Sequence, residues 1–519
     1  MPPFDPAPSQ TSSDPGRQTA STARSLRAAK APLIAIVGGG ITGLSAAYFL
    51  QRARPDARIL LYESRARLGG NIHTEHEQGF LFDAGPDSFL RTKPWALELC
   101  KQLGLEGELT GTRAEGRAVF LAHAGSLERM PEGLVLGVPT RVRPLLSARS
   151  LSLPGKLRML AELLLPEKFG RHATGHARDD ESLTSFISRR FGAEAAAALG
   201  TPLLAGIYAG DARALSVQAT FPHLLELEAR HGSVIRGLIQ TQLEPAERVD
   251  ARTLRARLQE AAAWLKKPAP SSTAPSPFVS LRGGMGRLID ALRAALPPGT
   301  LRLGVPVDAL ARSDDQHSWS LSAGGERVAP DAVLLATPAR VAARLLPQGA
   351  LANELAAIQY ASTATVFFGV ETRNLQRPLD GSGFIVPPGE GGVMAGTWVS
   401  SKWDGRAPAG TALVRAFLGG VHSDIDVCRE SDQALLEIAR FELSRLMGPL
   451  GPARVTRVYR HILANPQPTV GHRARLARIE QLLAALPGVH LAGAAYDGVS
   501  ISDCVRQARA AADRIVASL

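Results

Sequence analysis

The sequence is poor in cysteine and in long hydrophobic runs, and both shortages exclude whole classes of protein. Its three cysteines, Cys100, Cys428 and Cys504, are isolated among 519 residues and show no CxxC or metal-ligand spacing. A disulfide scaffold is therefore excluded, no metal site is expected, and a reducing compartment fits the composition. No stretch approaches about 18 consecutive apolar residues, so no transmembrane helix is expected.

The charge balance is basic. Lys and Arg number 59 against 48 Asp and Glu, a formal net charge of +11. This excess favours anionic partners such as carboxylate-bearing substrates or an acidic membrane surface. The basic residues are scattered, without a zinc-finger, basic-zipper or RNA-binding aromatic signature, so nucleic acid is not an expected partner. With 45% apolar residues the chain is typical of globular proteins. At about one domain per 150 residues, its length suggests two or three domains.

Residues 1–30 lack the apolar core of a secretory signal. They are rich in Pro, Ser, Thr and Ala, and we expect a disordered tail, with an organelle transit segment as the alternative. The expected location is the cytoplasm or the cytoplasmic face of a membrane, with organelle targeting left open.

Order is expected to begin with a strand, a glycine turn, a helix and a second strand. The apolar run at 33–37 and the helical pattern at 44–50 flank Gly38, Gly39, Gly40, Ile41, Thr42 and Gly43. Such glycines make the tight turn, leave room for phosphates and let helix and strand pack closely, while the helix N-terminus supplies amide donors. Glu63 ends the next strand, where a carboxylate accepts hydrogen bonds from a ribose. The pattern predicts a dinucleotide site.

Two further stretches favour FAD over NAD. Residues 64–71 (SRARLGGN) end at Asn71 and resemble the extended fingerprint of amine-oxidase-like flavoproteins. Residues 83–88 (DAGPDS) resemble the loop that those proteins bring alongside the flavin, and they contain Gly85, Pro86, Asp87 and Ser88. FAD is therefore the expected cofactor.

The remaining motifs resemble the oxygen-dependent, FAD-containing porphyrinogen oxidases, from about residue 33 to residue 515. The matching stretches are TPLLAGIYAGD at 201–211, GSVIRG at 232–237, FVSLRGGM at 278–285, GRAP at 405–408, LGG at 418–420, and LAGA and GVSISDC at 491–494 and 498–504. So many separated matches in one order are more specific than any single glycine motif.

The resemblance implies an α/β (α+β) fold in three parts: a discontinuous Rossmann-like FAD domain, a mixed-sheet substrate domain and a helical domain that meets the membrane. The implied divisions are a tail at 1–30, FAD segments at 31–112, 278–340 and 485–519, a helical membrane-associating and substrate region at 113–240, a helix and Pro/Ser linker at 241–277, and a substrate domain at 341–484. It also implies FAD contacts at Val307, Ala494, Val499, Ser500 and Ile501, in addition to the residues above.

The implied reaction removes six hydrogens from protoporphyrinogen IX in three two-electron steps, with flavin N5 as hydride acceptor and dioxygen reduced to hydrogen peroxide. Coproporphyrinogen III is the alternative substrate, and another amine-oxidase-like flavoenzyme is a more distant one. No protein side chain is assigned as acid or base. A homodimer is left open.

Two residues are expected to contact the substrate. Arg117 aligns with the arginine that binds a propionate in the family, as a broad apolar disc with carboxylates requires. The family commonly has an aromatic residue between two glycines where this chain has Ser382. We expect either that Phe384 replaces that wall of the pocket or that the pocket is roomier there.

Residues 139–171 alternate basic and leucine residues. The basic residues are Arg141, Arg143, Arg149, Lys156, Arg158, Lys168 and Arg171. Such a segment predicts peripheral contact with an anionic bilayer, and an amphipathic helix packed on its own core is the alternative.

Overall fold

The structure is a computed structural model that describes residues 31–135, 137–165, 180–241, 275–313 and 318–519. The expected tail at 1–30, most of the linker, and Lys168 and Arg171 lie outside the described residues.

Five parallel strands from three distant stretches of chain form the first sheet, here called the parallel sheet. Their spatial order is Leu301–Leu303, Arg58–Glu63, Leu33–Val37, Ala332–Leu335 and Val489–Leu491. The expected strand at 33–37 is confirmed, and its position between two neighbours with cover on both faces explains its uninterrupted apolar sequence.

Both faces of the parallel sheet are covered. One face packs against the helices Ile41–Ala53, Pro94–Gln102, Gly286–Ala294 and Ile501–Ser518. The other packs against the helices Ala339–Leu345, Ala350–Ala356 and His472–Leu483 and the antiparallel strands Val307–Arg312, Trp319–Ala323 and Glu326–Val328. Alternate residues of each parallel strand enter the two cores, as the two-residue period of a strand requires.

The second sheet, here called the large sheet, has seven strands. Their spatial order is Ala453–Pro466, Tyr360–Glu371, Thr411–Gly419, Ala395–Trp398, Gly383–Ile385, Val119–His123 and Ser126–Arg129. All neighbours are antiparallel except the pair Gly383–Ile385 and Val119–His123. One face packs beneath the helix Asp432–Met447. The opposite face, which carries Thr365, Arg415 and His461, is called the inner face below.

Shorter elements join these sheets. They are the hairpin Thr74–Glu77 and Phe80–Asp83, the three-stranded sheet of Phe89–Leu90, Phe278–Leu281 and Leu109–Gly111, the pair Leu134–Val135 and Val138–Pro139, the helix Val399–Lys402, and the 3-10 turns Glu106–Glu108, Glu115–Arg117 and Thr372–Asn374.

A separate helical region has its own apolar core. Its helices are Val142–Ser147, Leu153–Leu160, Leu183–Phe191, Ala193–Ala195, Thr201–Tyr208, Val217–Thr220, Pro222–His231 and Val234–Thr241, with a 3-10 turn at Ala161–Leu164 and a π-turn at Ala196–Gly200. Within the described residues, none of the helices combines the length and the apolar character needed to cross a bilayer.

The mixed α/β fold with mixed sheets agrees with the expected class, but some stretches lie in other units than the sequence suggests. Residues 119–129, expected in the helical region, form two strands of the large sheet because their apolar run pairs with Gly383–Ile385. Helices within 341–484, namely Ala350–Ala356 and His472–Leu483, pack on the parallel sheet rather than on the large sheet. The domain boundaries themselves remain predictions.

Candidate active site

The glycine turn has the close packing that its spacing predicts. A Cβ atom on Gly43 would lie 1.9 Å from the carbonyl oxygen of Gly38, so any side chain there would push the turn away from the helix. A Cβ on Gly40, by contrast, would meet only Gly70, at 3.9 Å, and faces open space. The turn is thus tight where the chain packs on itself and open where a ligand would lie.

Glu63 is fixed by two backbone amides. The amide of Gly39 donates to Oε2 at 2.8 Å and that of Arg65 donates to Oε1 at 2.9 Å. The carboxylate is half-buried and keeps further lone pairs for a ribose. The amide of Val305 donates to the Glu63 carbonyl at 3.0 Å, which brings the strand that carries Val307 to the same corner.

The second glycine pair and Asn71 join the turn to the predicted flavin loop at 84–88. The amide of Gly69 donates to the Gly39 carbonyl at 2.8 Å. Gly85 lies so close to Asn71 that a Cβ on it would be 1.9 Å from the Asn71 carbonyl oxygen. The structure therefore brings these sequence-predicted residues into one continuous surface.

The loop at 84–88 is held by the inner face of the large sheet. The Ala84 carbonyl accepts hydrogen bonds from Thr365 Oγ1 at 3.0 Å, from Arg415 Nη2 at 3.0 Å and from His461 Nε2 at 2.9 Å. Arg415 Nη2 also donates to the Gly85 carbonyl at 2.9 Å. Burial lowers the pKa of His461, so the ring is neutral at physiological pH and donates its Nε2 proton.

The Asp87 side chain turns towards the C-terminal end of the helix Val399–Lys402. Its carboxylate pairs with Lys402 Nζ at 2.8 Å and accepts a hydrogen bond from Trp403 Nε1 at 3.1 Å. Burial opposes its ionisation, but the charges of Lys402 and Arg415 outweigh burial and hold the pKa of Asp87 well below its usual range. Because these contacts occupy the carboxylate, any flavin contact of Asp87 falls to its backbone.

The C-terminal stretch reaches Lys93, in the segment that follows the loop at 84–88. Ser500 caps the helix Ile501–Ser518, and Asp503 completes a capping box with it. Lys93 Nζ pairs with Asp503 at 2.6 Å, and the Lys93 carbonyl accepts from Ser502 Oγ at 3.0 Å. On the other side of the turn, the Thr42 hydroxyl hydrogen-bonds to the Cys504 thiol. Loops from both ends of the chain thus meet.

The residues present fit an FAD. The open space over Gly40 leaves room for a pyrophosphate at a helix N-terminus. Near it, Thr337 Oγ1 is buried without a hydrogen-bond partner among the described residues, as expected where a polar cofactor would supply one.

The two predicted substrate residues differ in placement. The Glu115–Arg117 turn packs against the helix Val399–Lys402, whose Lys402 pairs with Asp87. A Cβ on Gly116 would be 2.4 Å from the Ser401 carbonyl oxygen. Arg117 itself is exposed. Phe384, 2% exposed, packs with Trp398 beneath the helix Asp432–Met447.

Side chains alternate along a strand, and this alternation fixes the placement of Phe384. Its ring lies on the face opposite to Arg415, and the neighbouring Ile385 is the residue on the inner face. Ile385 and Val499 are both half-buried and both pack against the core of the helical region. The three parts of the molecule therefore meet around these two side chains.

A cavity of about 660 Å³ lies at one end of the large sheet, lined by Arg113, Arg377, Ser400, Ser401 and their neighbours. None of the sequence-predicted flavin or substrate residues lines it among the described residues, so it is separate from the candidate active site.

Sequence reasoning missed Thr365, Arg415, His461 and Lys402. They contact the loop at 84–88 over separations of 281, 331, 377 and 315 residues, which no local spacing encodes. One signal was available: Arg415 is the single charge within the apolar strand Thr411–Gly419.

Several known proteins resemble this chain in sequence and in fold. The sequence profile of the flavin-containing amine oxidoreductases matches residues 41–516. A coproporphyrinogen III oxidase of Bacillus subtilis (strain 168) is 33% identical, covering 92% of this chain and 96% of the relative. A protoporphyrinogen oxidase of Bos taurus is 30% identical, covering 93% of this chain and 98% of the relative. A crystal structure from Exiguobacterium sp. 255-15, assigned provisionally as a protoporphyrinogen oxidase, is 31% identical with a TM-score of 0.78, covering 94% of this chain and 99% of that chain.

Proposed function

The chain belongs to the family of flavin-containing amine oxidoreductases, and from that premise we propose that it oxidises coproporphyrinogen III to coproporphyrin III with dioxygen as electron acceptor. It is an oxidoreductase of the porphyrinogen oxidase type, and its cofactor is FAD. The similarity to the Bacillus subtilis relative, 33% over nearly all of both chains, is the observation that carries the choice of substrate.

Protoporphyrinogen IX, the substrate expected first from the sequence, is the second candidate. The similarity to the bovine relative favours it. The exposed apolar surface of the helical region, described below, also favours protoporphyrinogen IX. A tetrapyrrole with two propionates rather than four partitions more readily into a membrane, which such a surface could contact.

The residues that would hold the cofactor divide by chemistry. The turn Gly38 to Gly43 and the N-terminus of the helix Ile41–Ala53 would bind the pyrophosphate through backbone amides, and Glu63 would accept from the ribose. Val307 would pack by the adenine. FAD accepts the hydrogens of the substrate and passes the electrons to dioxygen.

The N-terminus of the helix Ile501–Ser518 contacts Lys93, five residues after the loop at 84–88. Its capping box satisfies the amide of Asp503, while the amides of Ile501 and Ser502 belong to the first turn and have no partner within the helix. Together with Ala494 and Val499, these groups would lie against the flavin ring and favour negative charge on it.

The substrate would lie between the flavin and the inner face of the large sheet. Ile385 and Val499 would supply apolar walls, and Arg117 would bind a propionate at the exposed edge. Of the described groups that contact or belong to the loop at 84–88, His461 donates to Ala84 and Asp87 is paired with Lys402, so neither is free to act on a ring proton. We assign the chain a role in positioning and in exclusion of water, and we assign no side chain to proton transfer.

The helical region would rest on an anionic membrane. Leu146, Leu153, Leu157 and Leu164 are between 46% and 64% exposed. The acidic residue within this stretch, Glu162, is fully buried and paired with Arg190, so it does not reduce the basic character of the surface. Exposed leucines among basic residues suit an acidic bilayer surface.

An aerobic assay with both porphyrinogens tests the proposal. We expect protein-bound FAD and the appearance of coproporphyrin fluorescence, with three peroxide molecules for each porphyrin formed, and a higher kcat/KM for coproporphyrinogen III than for protoporphyrinogen IX. The reverse preference would select the second candidate. A yellow protein that oxidises neither compound would reject the proposed reaction.

A further inference from the structure

Arg415 is a buried arginine whose two nearby acids each pair with another cation. It is 5% exposed, and no carboxylate of the described residues lies within ion-pair distance of it, although the charges of Asp87 and Asp83 act on it. The two nearby acids are occupied by other cations: Asp83 by Arg406 at 3.3 Å and Asp87 by Lys402 at 2.8 Å. Arg415 Nε, also buried, has no hydrogen-bond partner within the described part of the chain.

The surroundings hold this charge in one place. Nη2 donates to the carbonyls of Ala84 and Gly85, and Cζ lies 4.2 Å from the centre of the Phe417 ring and 5.2 Å from that of Phe367. Burial lowers the pKa of Arg415 to about 10, and Asp87 and Asp83 oppose that shift, so the group is charged at neutral pH. Because these two carboxylates are shared with other cations, the buried charge of Arg415 is only partly compensated, and a ligand that gains negative charge nearby would complete the compensation.

We propose that Arg415 is a positioning residue of the flavin site: it fixes the loop at 84–88 and places a positive charge behind it that favours the reduced form of the bound flavin. This inference deepens the proposed function and rests on its FAD site, not on the identity of the porphyrinogen. Reduction adds negative charge to the flavin, and a cation held in a low-dielectric setting stabilises the more negative form.

The test is the midpoint potential of the bound flavin in Arg415→Met, measured by anaerobic titration against a redox dye without porphyrinogen. Methionine fills much of the same volume without the charge. We expect the equilibrium constant for flavin reduction to fall about tenfold, which for a two-electron couple is a shift of about 30 mV to more negative potential. Arg415→Lys keeps the charge but loses the paired donors, so we expect a potential near that of the wild type with less FAD retained after dialysis.

Arg440→Met is the matched control. Arg440 lies on the opposite side of the same sheet, with Cζ 5.0 Å from the centre of the Phe368 ring and Nη1 donating to the Gly451 carbonyl at 2.8 Å. We expect its potential to equal that of the wild type.

A wild-type potential in Arg415→Met would overturn the inference even if both porphyrinogens are oxidised. A shifted potential in a protein that oxidises neither would support the inference while rejecting the proposed reaction. If Arg415→Met does not retain FAD, Arg415→Gln, which keeps a donor for the Ala84 carbonyl, is measured in its place against the same two outcomes.

Discussion

Two buried charge clusters in this molecule differ in how completely they are paired. The cluster of the helical region contains Glu162, Arg190 and Glu228, with exposures of 0%, 1% and 0%. Glu162 accepts hydrogen bonds from Arg190, from the Ser233 hydroxyl at 2.5 Å and from the amide of Val234 at 2.7 Å. Every charge there has a partner of opposite sign.

The cluster beside the flavin loop is open by comparison. Asp83 and Asp87 are each paired, but Arg415 is bonded only to backbone carbonyls and its Nε has no partner among the described residues. A closed network serves the fold, because breaking it leaves a buried charge unpaired. An open one can be completed by a ligand, and under the proposed role of Arg415 that ligand is the flavin.

Removing Arg190 should give the largest effect. Arg190→Met leaves Glu162 buried and without its cation, and we expect a loss of about 3–5 kcal/mol of unfolding free energy. Urea unfolding of the FAD-loaded protein measures it. The exposed pair of Arg213 and Asp211 provides the control: Arg213→Met should cost about 1 kcal/mol or less, because a solvated ion pair contributes little. Equal losses in the two variants would contradict the distinction between buried and exposed pairs.

Gly40 tests whether a ligand occupies the open space beside the glycine turn. A methyl group there meets no described atom closer than 3.9 Å, so Gly40→Ala should change the unfolding free energy of the FAD-free protein by about 1 kcal/mol or less. If the pyrophosphate occupies that space, the added methyl group clashes with it. The clash should cost about 1–3 kcal/mol of binding free energy, and FAD affinity should fall about 10- to 100-fold.

Equilibrium dialysis with FAD measures the affinity. The matched control is Gly107→Ala, where a Cβ also meets nothing within 4 Å but lies far from the glycine turn in sequence. We expect wild-type affinity in that control. Wild-type affinity in Gly40→Ala as well would place the pyrophosphate elsewhere.

Local patterns of the sequence predicted the parts of the site that local chemistry builds. The glycine turn and Glu63 at the end of its strand each depend on residues that are close in the chain, so spacing alone predicted them, whereas Ser500 came from the family resemblance. Arg415 and His461 reach the flavin loop only after the large sheet has folded, and no short motif records that contact.

Strand register explains why the Phe384 ring lies on the face opposite to Arg415. A one-residue step along a strand moves a side chain to the opposite face. Phe384 lies two residues after Ser382, where the family commonly has an aromatic residue. In the strand Gly383–Ile385, which pairs with Val119–His123, the side chain of Ile385 and not that of Phe384 lies on the inner face.

The next prediction concerns the outer surface of the helical region. The charges of its buried cluster are all paired, so we look for the function of that region at its surface. Leu153 and Leu157 are 64% and 57% exposed. The double variant Leu153→Glu with Leu157→Glu should weaken binding to anionic phosphatidylserine vesicles about tenfold or more, because each buried leucine contributes about 1.5–3 kcal/mol.

Vesicle co-sedimentation at low salt measures this effect. Phe441→Glu is the control, an exposed apolar residue, at 67%, on the helix that covers the large sheet. It should bind vesicles as the wild type does. Equal binding by all three proteins would contradict membrane contact through the helical region.

The smallest expected effect concerns Arg117, whose exposure contrasts with the burial of Arg415. An exposed arginine that binds a propionate in both the ground state and the transition state changes KM and leaves kcat nearly unchanged. Because solvated ion pairs contribute about 0.2–1 kcal/mol, Arg117→Ala should raise KM by up to about fivefold. Arg113→Ala is the control, since that exposed neighbour already pairs with Asp404 at 3.2 Å. A lower kcat in Arg117→Ala with unchanged KM would mean that the residue acts on the chemical step, and the division between a buried charge for the flavin and an exposed one for the substrate would fail.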